Sequence, residues 1–160
     1  MTDTPKESGD STALSDQFAT LPLKPEILAN LASLDFTRMT PVQEQALPFV
    51  LQGKDVVARA KTGSGKTAVF GLGIINQLDS ASFATQALIL CPTRELADQV
   101  AKELRRLART TPNVKILILC GGMPLGPQIG SLEFGAHIVV GTPGRIQEHL
   151  RKNTLKLDAI

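Results

Sequence analysis

Short apolar runs alternate along the chain with longer segments in which apolar residues recur at a spacing of three to four. Continuous apolar runs are typical of strands that are buried on both faces, and the wider spacing is typical of helices with one buried face. We predict strands at 55–59, 87–91, 115–120 and 137–140. We predict helices at 25–34, 41–51, 66–78, 94–109, 125–133 and 144–152.

This alternation predicts an α/β fold in which a parallel sheet is covered by helices on both faces. Ligands of such folds bind beyond the carboxyl ends of the strands. Residues 1–17 have a different composition, because they are rich in Ser, Thr and Asp and carry four acidic residues against one Lys. We expect residues 1–17 to be a disordered tail and residues 18–160 to form one folded domain.

The run from Ala60 to Thr67 reads Ala-Lys-Thr-Gly-Ser-Gly-Lys-Thr and lies between a predicted strand and a predicted helix. A strand, a Gly-containing loop and a helix in this order are typical of a phosphate-binding P-loop. Lys66 would contact the β- and γ-phosphates, and the Thr67 hydroxyl would bind Mg²⁺. An ordinary Gly/Ser turn would explain the glycines. It would not explain a cation in the first helical turn, where it opposes the helix dipole.

Thr40 and Gln43 have the spacing of a capping box at the start of a predicted helix, with Pro41 between them. The Gln43 amide could also recognise the hydrogen-bonding edge of adenine, and Phe36 could stack on the purine ring. The residues alone leave the structural and the purine-binding interpretations open.

Three polar clusters follow the later strands. Ordinary capping explains Thr142-Pro143, and ordinary turn chemistry explains the pair Gly121-Gly122. It does not explain Arg94 and Arg145, which stand in first helical turns where a cation opposes the dipole. Their shared position at one sheet edge favours anion binding. The clusters are Pro92–Ala97, Gly121-Gly122 and Gly141–Arg145.

Composition adds little. The formal net charge of +2 is too small to indicate nucleic acid, and a basic helix face between Lys102 and Arg109 is explained equally well as a solvated surface.

Cys91 and Cys120 end apolar runs and are expected to be buried, reduced thiols. The sequence shows neither a signal-peptide pattern nor an apolar run long enough to cross a bilayer, so we expect a cytoplasmic protein without membrane contact.

In combination, these runs resemble the N-terminal RecA-like domain of DEAD-box RNA helicases. The resemblance spans residues 18–160. Within the family, the motifs of this chain are most similar to those of the bacterial DbpA-type group. Ala60 is usual at the first position of the family's P-loop motif, whereas Asp35 replaces the usual Gly before Phe36. The matching runs are Phe18 with Phe36–Gln43 (Q motif), Ala60–Thr67 (motif I), Pro92–Ala97 (motif Ia), Gly121-Gly122 (glycine doublet) and Thr142–Arg145 (motif Ib).

The resemblance implies ATP and Mg²⁺ as cofactors, with Thr67 as the metal-binding residue. It implies RNA as the partner, bound through its backbone and, in the DbpA-type group, ribosomal RNA; we expect a monomer. The implied ATP-binding residues are Phe36, Arg38, Gln43, Thr62, Gly63, Ser64, Gly65, Lys66 and Thr67. The implied RNA-binding residues are Pro92, Thr93, Arg94, Gly122, Thr142 and Arg145.

The Asp-Glu-Ala-Asp box and the Ser-Ala-Thr motif of that family do not occur in the sequence. We therefore expect the N-terminal part of a RecA-like domain, truncated before the domain's end, with no catalytic residue of its own and no ATP hydrolysis alone. One alternative is a non-catalytic nucleotide- or RNA-binding module that naturally ends at Ile160. Another is a DNA helicase, against which the Pro-Thr-Arg-Glu-Leu-Ala and Thr-Pro-Gly-Arg motifs argue.

Overall fold

A computed structural model describes residues 17–160, so the predicted disordered tail lies outside the described residues except for Gln17. A single 3₁₀ turn at Phe18–Thr20 opens this part of the chain. The strands are β1 (Ala87–Leu90), β2 (Ile116–Leu119) and β3 (Ile138–Gly141). The helices are α1 (Pro25–Ser33), α2 (Pro41–Leu51), α3 (Lys66–Gln77), α4 (Arg94–Leu107), α5 (Leu125–Glu133) and α6 (Pro143–Arg151).

The three strands form a parallel sheet in the order β1-β3-β2, with β3 at its centre. Ile138 and Val140 pack on one face against the apolar side of α4, which includes Val100 and Leu104. Val139 points to the other face and packs with Ile146 of α6. The prediction of a parallel sheet with helices on both faces is confirmed.

A separate apolar core joins α1, α2 and α3 to the far side of α4. Ile27, Leu47, Leu72 and Leu107 are completely buried there. Their burial fixes α2 against α3, so the first turn of α2 lies beside the loop that precedes α3. This packing brings the capping-box motif Thr40–Gln43 next to the loop motif Ala60–Thr67, although most of α2 separates the two motifs in the chain.

The predicted strand at 55–59 is wrong. Residues 54–60 are irregular, and no strand among the described residues pairs with them. Val57 is fully exposed to solvent. A strand owes its stability to a hydrogen-bonded neighbour and a buried face, and this segment has neither in residues 17–160.

Cys91 and Cys120 are buried free thiols, as predicted. Burial raises the pKa of the Cys91 thiol, and the neighbouring Cys120 raises it further, so Cys91 remains protonated at neutral pH. In the described part of the chain, every helix is too short or too polar to span a bilayer.

Candidate nucleotide site and nucleic-acid interface

The loop before α3 turns tightly at two glycines. Gly63 and Gly65 adopt left-handed φ angles of 79° and 88°, which glycine reaches without steric cost. Gly65 is the N-cap of α3, and none of the described side chains caps this helix. The backbone N–H groups of the first helical turn are therefore available to an anion, with the positive end of the helix dipole behind them.

Gln43 connects α2 to this loop. Its Oε1 accepts a hydrogen bond from the Thr40 backbone N–H at 2.9 Å, which confirms the predicted capping box. Its Nε2 donates to the Gly65 carbonyl at 3.2 Å, and the Thr40 hydroxyl donates to the Ser64 carbonyl at 2.7 Å. A Gln amide has two donors and two acceptor lone pairs, so one of each remains for an adenine edge.

The Lys66 ammonium group and the Ser64 hydroxyl differ in their hydrogen-bond partners. Lys66 donates through Nζ to the Ala60 carbonyl and, at 2.8 Å, to the Lys61 carbonyl. Ser64 Oγ is buried and has no hydrogen-bond partner among residues 17–160. A buried hydroxyl without a partner is unfavourable, and a phosphate oxygen would satisfy it.

The loop and the start of α2 border an open cleft of about 650 Å³, a volume within the usual range for small-molecule sites. The cleft brings together every predicted ATP-binding residue except Ser64, which lies in the same loop. Gln99 and Glu103 of α4 also line the cleft and were not predicted. They lie a helical turn apart on α4, but no motif in the sequence distinguished them from other polar helix positions. The predicted residues that line it are Phe36, Arg38, Gln43, Thr62, Gly63, Gly65, Lys66 and Thr67.

Phe36 is held at the cleft edge by two contacts. The Phe18 ring meets it edge-on, with centroids 6.1 Å apart, and the Arg106 guanidinium lies 5.3 Å from its centroid. Asp35 adopts the left-handed φ of 60° and thus a conformation that glycine favours. Because Asp tolerates this region better than most residues, the turn before Phe36 forms without glycine.

Beyond β1 and β2, Arg94 lies against the glycine doublet. Pro92, Thr93 and Arg94 are exposed, and Thr93 Oγ1 caps α4 by accepting from the Leu96 N–H at 3.2 Å. Arg94 Nη1 donates to the Gly121 carbonyl at 3.4 Å. Gly122 has a left-handed φ of 79°, and a Cβ there would lie 2.3 Å from Arg94 Nη1. The predicted motifs Ia and glycine doublet therefore form one surface.

Beyond β3, Arg145 points inward to the same loop. Its Nη1 donates to the Met123 carbonyl and to Gln128 Oε1, both at 2.9 Å, and its Nε lies 3.0 Å from Glu148 Oε2. Only 11% of its side chain is exposed. These partners offset the conflict with the helix dipole that suggested an anion. Thr142 is the N-cap of α6, as predicted, and its hydroxyl makes no capping bond within the described residues.

Two buried polar residues behind Arg145 were not predicted. Gln128 of α5 donates to the Cys120 carbonyl at 3.1 Å and accepts from His149, whose Nε2 lies 2.9 Å away. His149 is completely buried. Burial lowers the pKa of His149, and the Arg145 charge lowers it further against an opposing effect of Glu148, so the ring is neutral at pH 7. The spacing of His149 from Ile146, in the buried stripe of α6, is the signal that could have revealed it.

The basic face of α4 is used mainly for internal contacts. Arg105 Nη2 donates to the Ile116 carbonyl at 3.1 Å, and Arg109 Nη2 donates to Ser33 Oγ at 2.6 Å. Arg106 covers Phe36 and lies 3.5 Å from Glu103. These contacts within the chain belong to neither of the two interpretations, a solvated surface or a nucleic-acid patch, and they give the face a role in stabilising the fold.

The fold and the site together define a RecA-like P-loop domain, in which α4 borders both the cleft and the surface around the glycine doublet. The family model of the DEAD/DEAH box helicases matches residues 40–160. The chain therefore belongs to the DEAD/DEAH box helicase family.

The chain is 62% identical over 138 residues to the ATP-dependent RNA helicase DbpA of Escherichia coli, and the match covers 86% of this chain and 30% of that protein. It is 44% identical to the ATP-dependent RNA helicase CshA of Listeria monocytogenes, covering 90% of this chain and 28% of the relative. The chain thus spans less than a third of the length of these relatives.

Solved structures of DEAD-box proteins have the same fold. A DEAD box protein from Methanococcus jannaschii superposes with a TM-score of 0.85 at 40% identity, covering 91% of this chain and 39% of that one. A variant of Dbp5 from S. cerevisiae, in a structure titled as bound to RNA and ADP BeF3, superposes with a TM-score of 0.80 at 28% identity. That match covers 91% of this chain and 36% of the Dbp5 chain.

Proposed function

We propose that this chain binds ATP with Mg²⁺ in the cleft between α2 and the phosphate loop, and RNA backbone on the surface around the glycine doublet. The observation that carries the nucleotide half is the linkage of Gln43, through Gly65, to a loop with a buried and unpartnered Ser64 hydroxyl. Adenine would meet Phe36, Arg38 and Gln43, and the triphosphate would meet the loop amides and Lys66.

The residues fit a magnesium ion that arrives with the triphosphate. Among the described residues, no three His, Cys, Asp or Glu side chains are grouped as a metal site. Mg²⁺ keeps several waters and is usually held by substrate phosphates with few protein ligands. The Thr67 hydroxyl, which lines the cleft, would supply one oxygen, and the ion would neutralise phosphate charge.

The proposed RNA surface consists of loops at the carboxyl ends of three parallel strands. Its members combine backbone amides, hydroxyls and cations, which are suited to sugar and phosphate contacts and not to reading bases. The structure titled as bound to RNA concerns a relative of the same fold and supports this proposal. The proposed members are Pro92, Thr93, Arg94, Gly122, Thr142 and Arg145.

In the whole protein, we propose that these sites couple ATP hydrolysis to the unwinding of RNA, with ribosomal RNA as the target suggested by the similarity to DbpA. We propose that the protein acts as a monomer in the cytoplasm.

Replacing Lys66 with Ala tests the nucleotide site. The variant should lose ATP binding, because Lys66 is the cation that the loop places beside the β- and γ-phosphates. Lys54→Ala removes the same charge from an exposed position outside the cleft and should bind ATP as the parent does. Isothermal titration calorimetry measures both. Equal ATP affinity in the Lys66 variant and the parent would refute the phosphate-loop proposal.

This chain alone should bind ATP without hydrolysing it, because phosphoryl transfer needs a group that orients the attacking water and charges that stabilise the transition state. The sequence lacks the family's Asp-Glu-Ala-Asp box. Phosphate release with and without RNA is the measurement. Turnover that persists through purification and disappears in Lys66→Ala would contradict this expectation.

A further inference from the structure

Gln128 is linked by hydrogen bonds, directly or through Arg145, to the residues on both sides of the glycine doublet. Its Nε2 donates to the carbonyl of Cys120, the residue before the doublet. Its Oε1 accepts from Arg145, and Arg145 in turn donates to the carbonyl of Met123, the residue after the doublet. The two carbonyls that flank Gly121-Gly122 are thereby tied to one buried amide.

The donors around Gln128 also fix its orientation and the protonation of its neighbour. Arg145 Nη1 can only donate, so the amide atom facing it must be the oxygen. His149 Nε2 lies 2.9 Å from the same oxygen and must therefore carry a hydrogen. In the neutral ring Nδ1 then accepts a hydrogen bond. The single hydrogen of the Thr154 hydroxyl goes to Nδ1, 2.8 Å away, and not to the competing His149 carbonyl at 3.1 Å.

These contacts form one continuous chain from the interior to the surface. Thr154 orients His149, His149 and Arg145 share the Gln128 oxygen, and Arg145 fixes the Met123 carbonyl. Arg145 is largely buried and already engaged by Gln128, Met123 and Glu148. Its guanidinium is thus better placed to hold the loop than to meet a phosphate.

We propose that Gln128 and His149 are positioning residues for RNA binding, which act by holding Arg145 and, through it, the loop Gly121–Met123. This inference rests on the proposed RNA surface and assigns to Arg145 an indirect contribution. Arg94, which is exposed above the same loop, remains the candidate for direct phosphate contact.

The test is a double-mutant cycle on single-stranded RNA affinity, measured by fluorescence anisotropy at low salt with the full chain. Arg145→Ala and His149→Leu should each weaken binding about five- to tenfold, because each removes a hydrogen bond on which the loop depends. If His149 acts through Arg145, the double variant should be no weaker than Arg145→Ala. Additive losses would overturn the proposal.

His149→Gln is the matched rescue, because its amide N–H can replace the Nε2–H donor without adding charge. It should bind RNA within about twofold of the parent if the hydrogen bond is what matters. ATP affinity should be unchanged in all these variants, since none of the substituted residues lines the nucleotide cleft. A His149→Leu variant that keeps both ATP and RNA affinity would overturn the proposal.

A measurement on the unmodified chain covers the case in which a variant fails to fold. The ¹⁵N chemical shifts of His149 at pH 7 should show a neutral ring protonated at Nε2. Protonation at Nδ1 instead would contradict the contact chain. If the parent chain binds no RNA at all, the proposed RNA function fails and this inference fails with it. If the parent binds RNA and His149→Leu does not change the affinity, this inference is wrong and the proposed RNA function stands.

Discussion

The phosphate loop and the glycine-doublet loop are built on the same plan but supported differently. Each contains left-handed glycine, and each is tied by a buried glutamine to a backbone carbonyl: Gln43 to Gly65, and Gln128 to Cys120. Each also has a basic residue that folds back onto loop carbonyls: Lys66 from the helix that follows the phosphate loop, and Arg145 from α6.

The difference lies in what holds each glutamine. Gln43 is oriented by the backbone N–H of Thr40 in its own helix cap, so its support is local in sequence. Gln128 is oriented by Arg145 and His149 from another helix. A site supported locally can be recognised as a motif, whereas one supported by tertiary packing becomes visible only when the fold is known.

Gly65→Ala should give the largest effect that separates the two loops. Its Cβ would lie 2.3 Å from Gln43 Nε2, and Gln43, only 2% exposed, has little room to move. With the left-handed φ, we expect a loss of about 1–3 kcal/mol of stability. ATP affinity should fall about tenfold or more, because the displaced loop would lose contacts with the phosphates. Each 1.4 kcal/mol of lost binding free energy lowers the affinity about tenfold.

Gly122→Ala is the matched control for that substitution. It has a similar φ, and its Cβ would also lie 2.3 Å from a side-chain nitrogen, but that nitrogen belongs to the exposed Arg94. Arg94 can move aside, so only the backbone cost of about 1–2 kcal/mol remains. Thermal unfolding and ATP titration compare the two variants. Unchanged ATP affinity in Gly65→Ala would show that the contact with Gln43 does not shape the site.

Most of the fold could be predicted, because the helices and the three observed strands follow apolar spacing that packing then buries. The failure at 55–59 is instructive beside β3. Both runs contain consecutive valines, yet Val139 and Val140 are completely buried while Val57 is fully exposed. A run's own residues favour a strand, but its neighbours determine whether the strand forms.

The same limit applies to the sites. Contiguous motifs predicted the phosphate loop and the capping box, and the cleft brings their residues together. Gln128 and His149 belong to no contiguous motif, and their importance arises from a hydrogen-bond network across two helices. The sequence placed Arg145 at the right edge of the sheet. It could not show that its guanidinium would turn inward to Met123.

Gln43→Ala should have a smaller effect, concentrated on selectivity. Loss of the capping box costs on the order of 1 kcal/mol of stability. The parent should prefer ATP to GTP, because a site that hydrogen-bonds the adenine edge leaves polar groups unpaired against guanine. The variant should lose that preference.

Gln45→Ala changes an exposed glutamine of the same helix and should alter neither stability nor selectivity. Competition between ATP and GTP for a fluorescent nucleotide measures the preference in all three chains. Equal binding of ATP and GTP by the parent would restrict Gln43 to supporting the cap and the loop.

Arg94→Ala should have the smallest effect and the most specific signature. If Arg94 meets one phosphate, its loss should weaken single-stranded RNA binding equally for all sequences and reduce the slope of log affinity against log salt by about 0.7. Arg151→Ala removes the same charge from an exposed position in the last turn of α6, away from the strand-end loops, and should leave the slope unchanged. Arg145→Ala should weaken binding with less change in slope, because an inward guanidinium releases no counterion from RNA. Equal slope changes for Arg94 and Arg145 would show that both arginines reach the phosphates, and the contrast between an outward and an inward arginine would then be wrong.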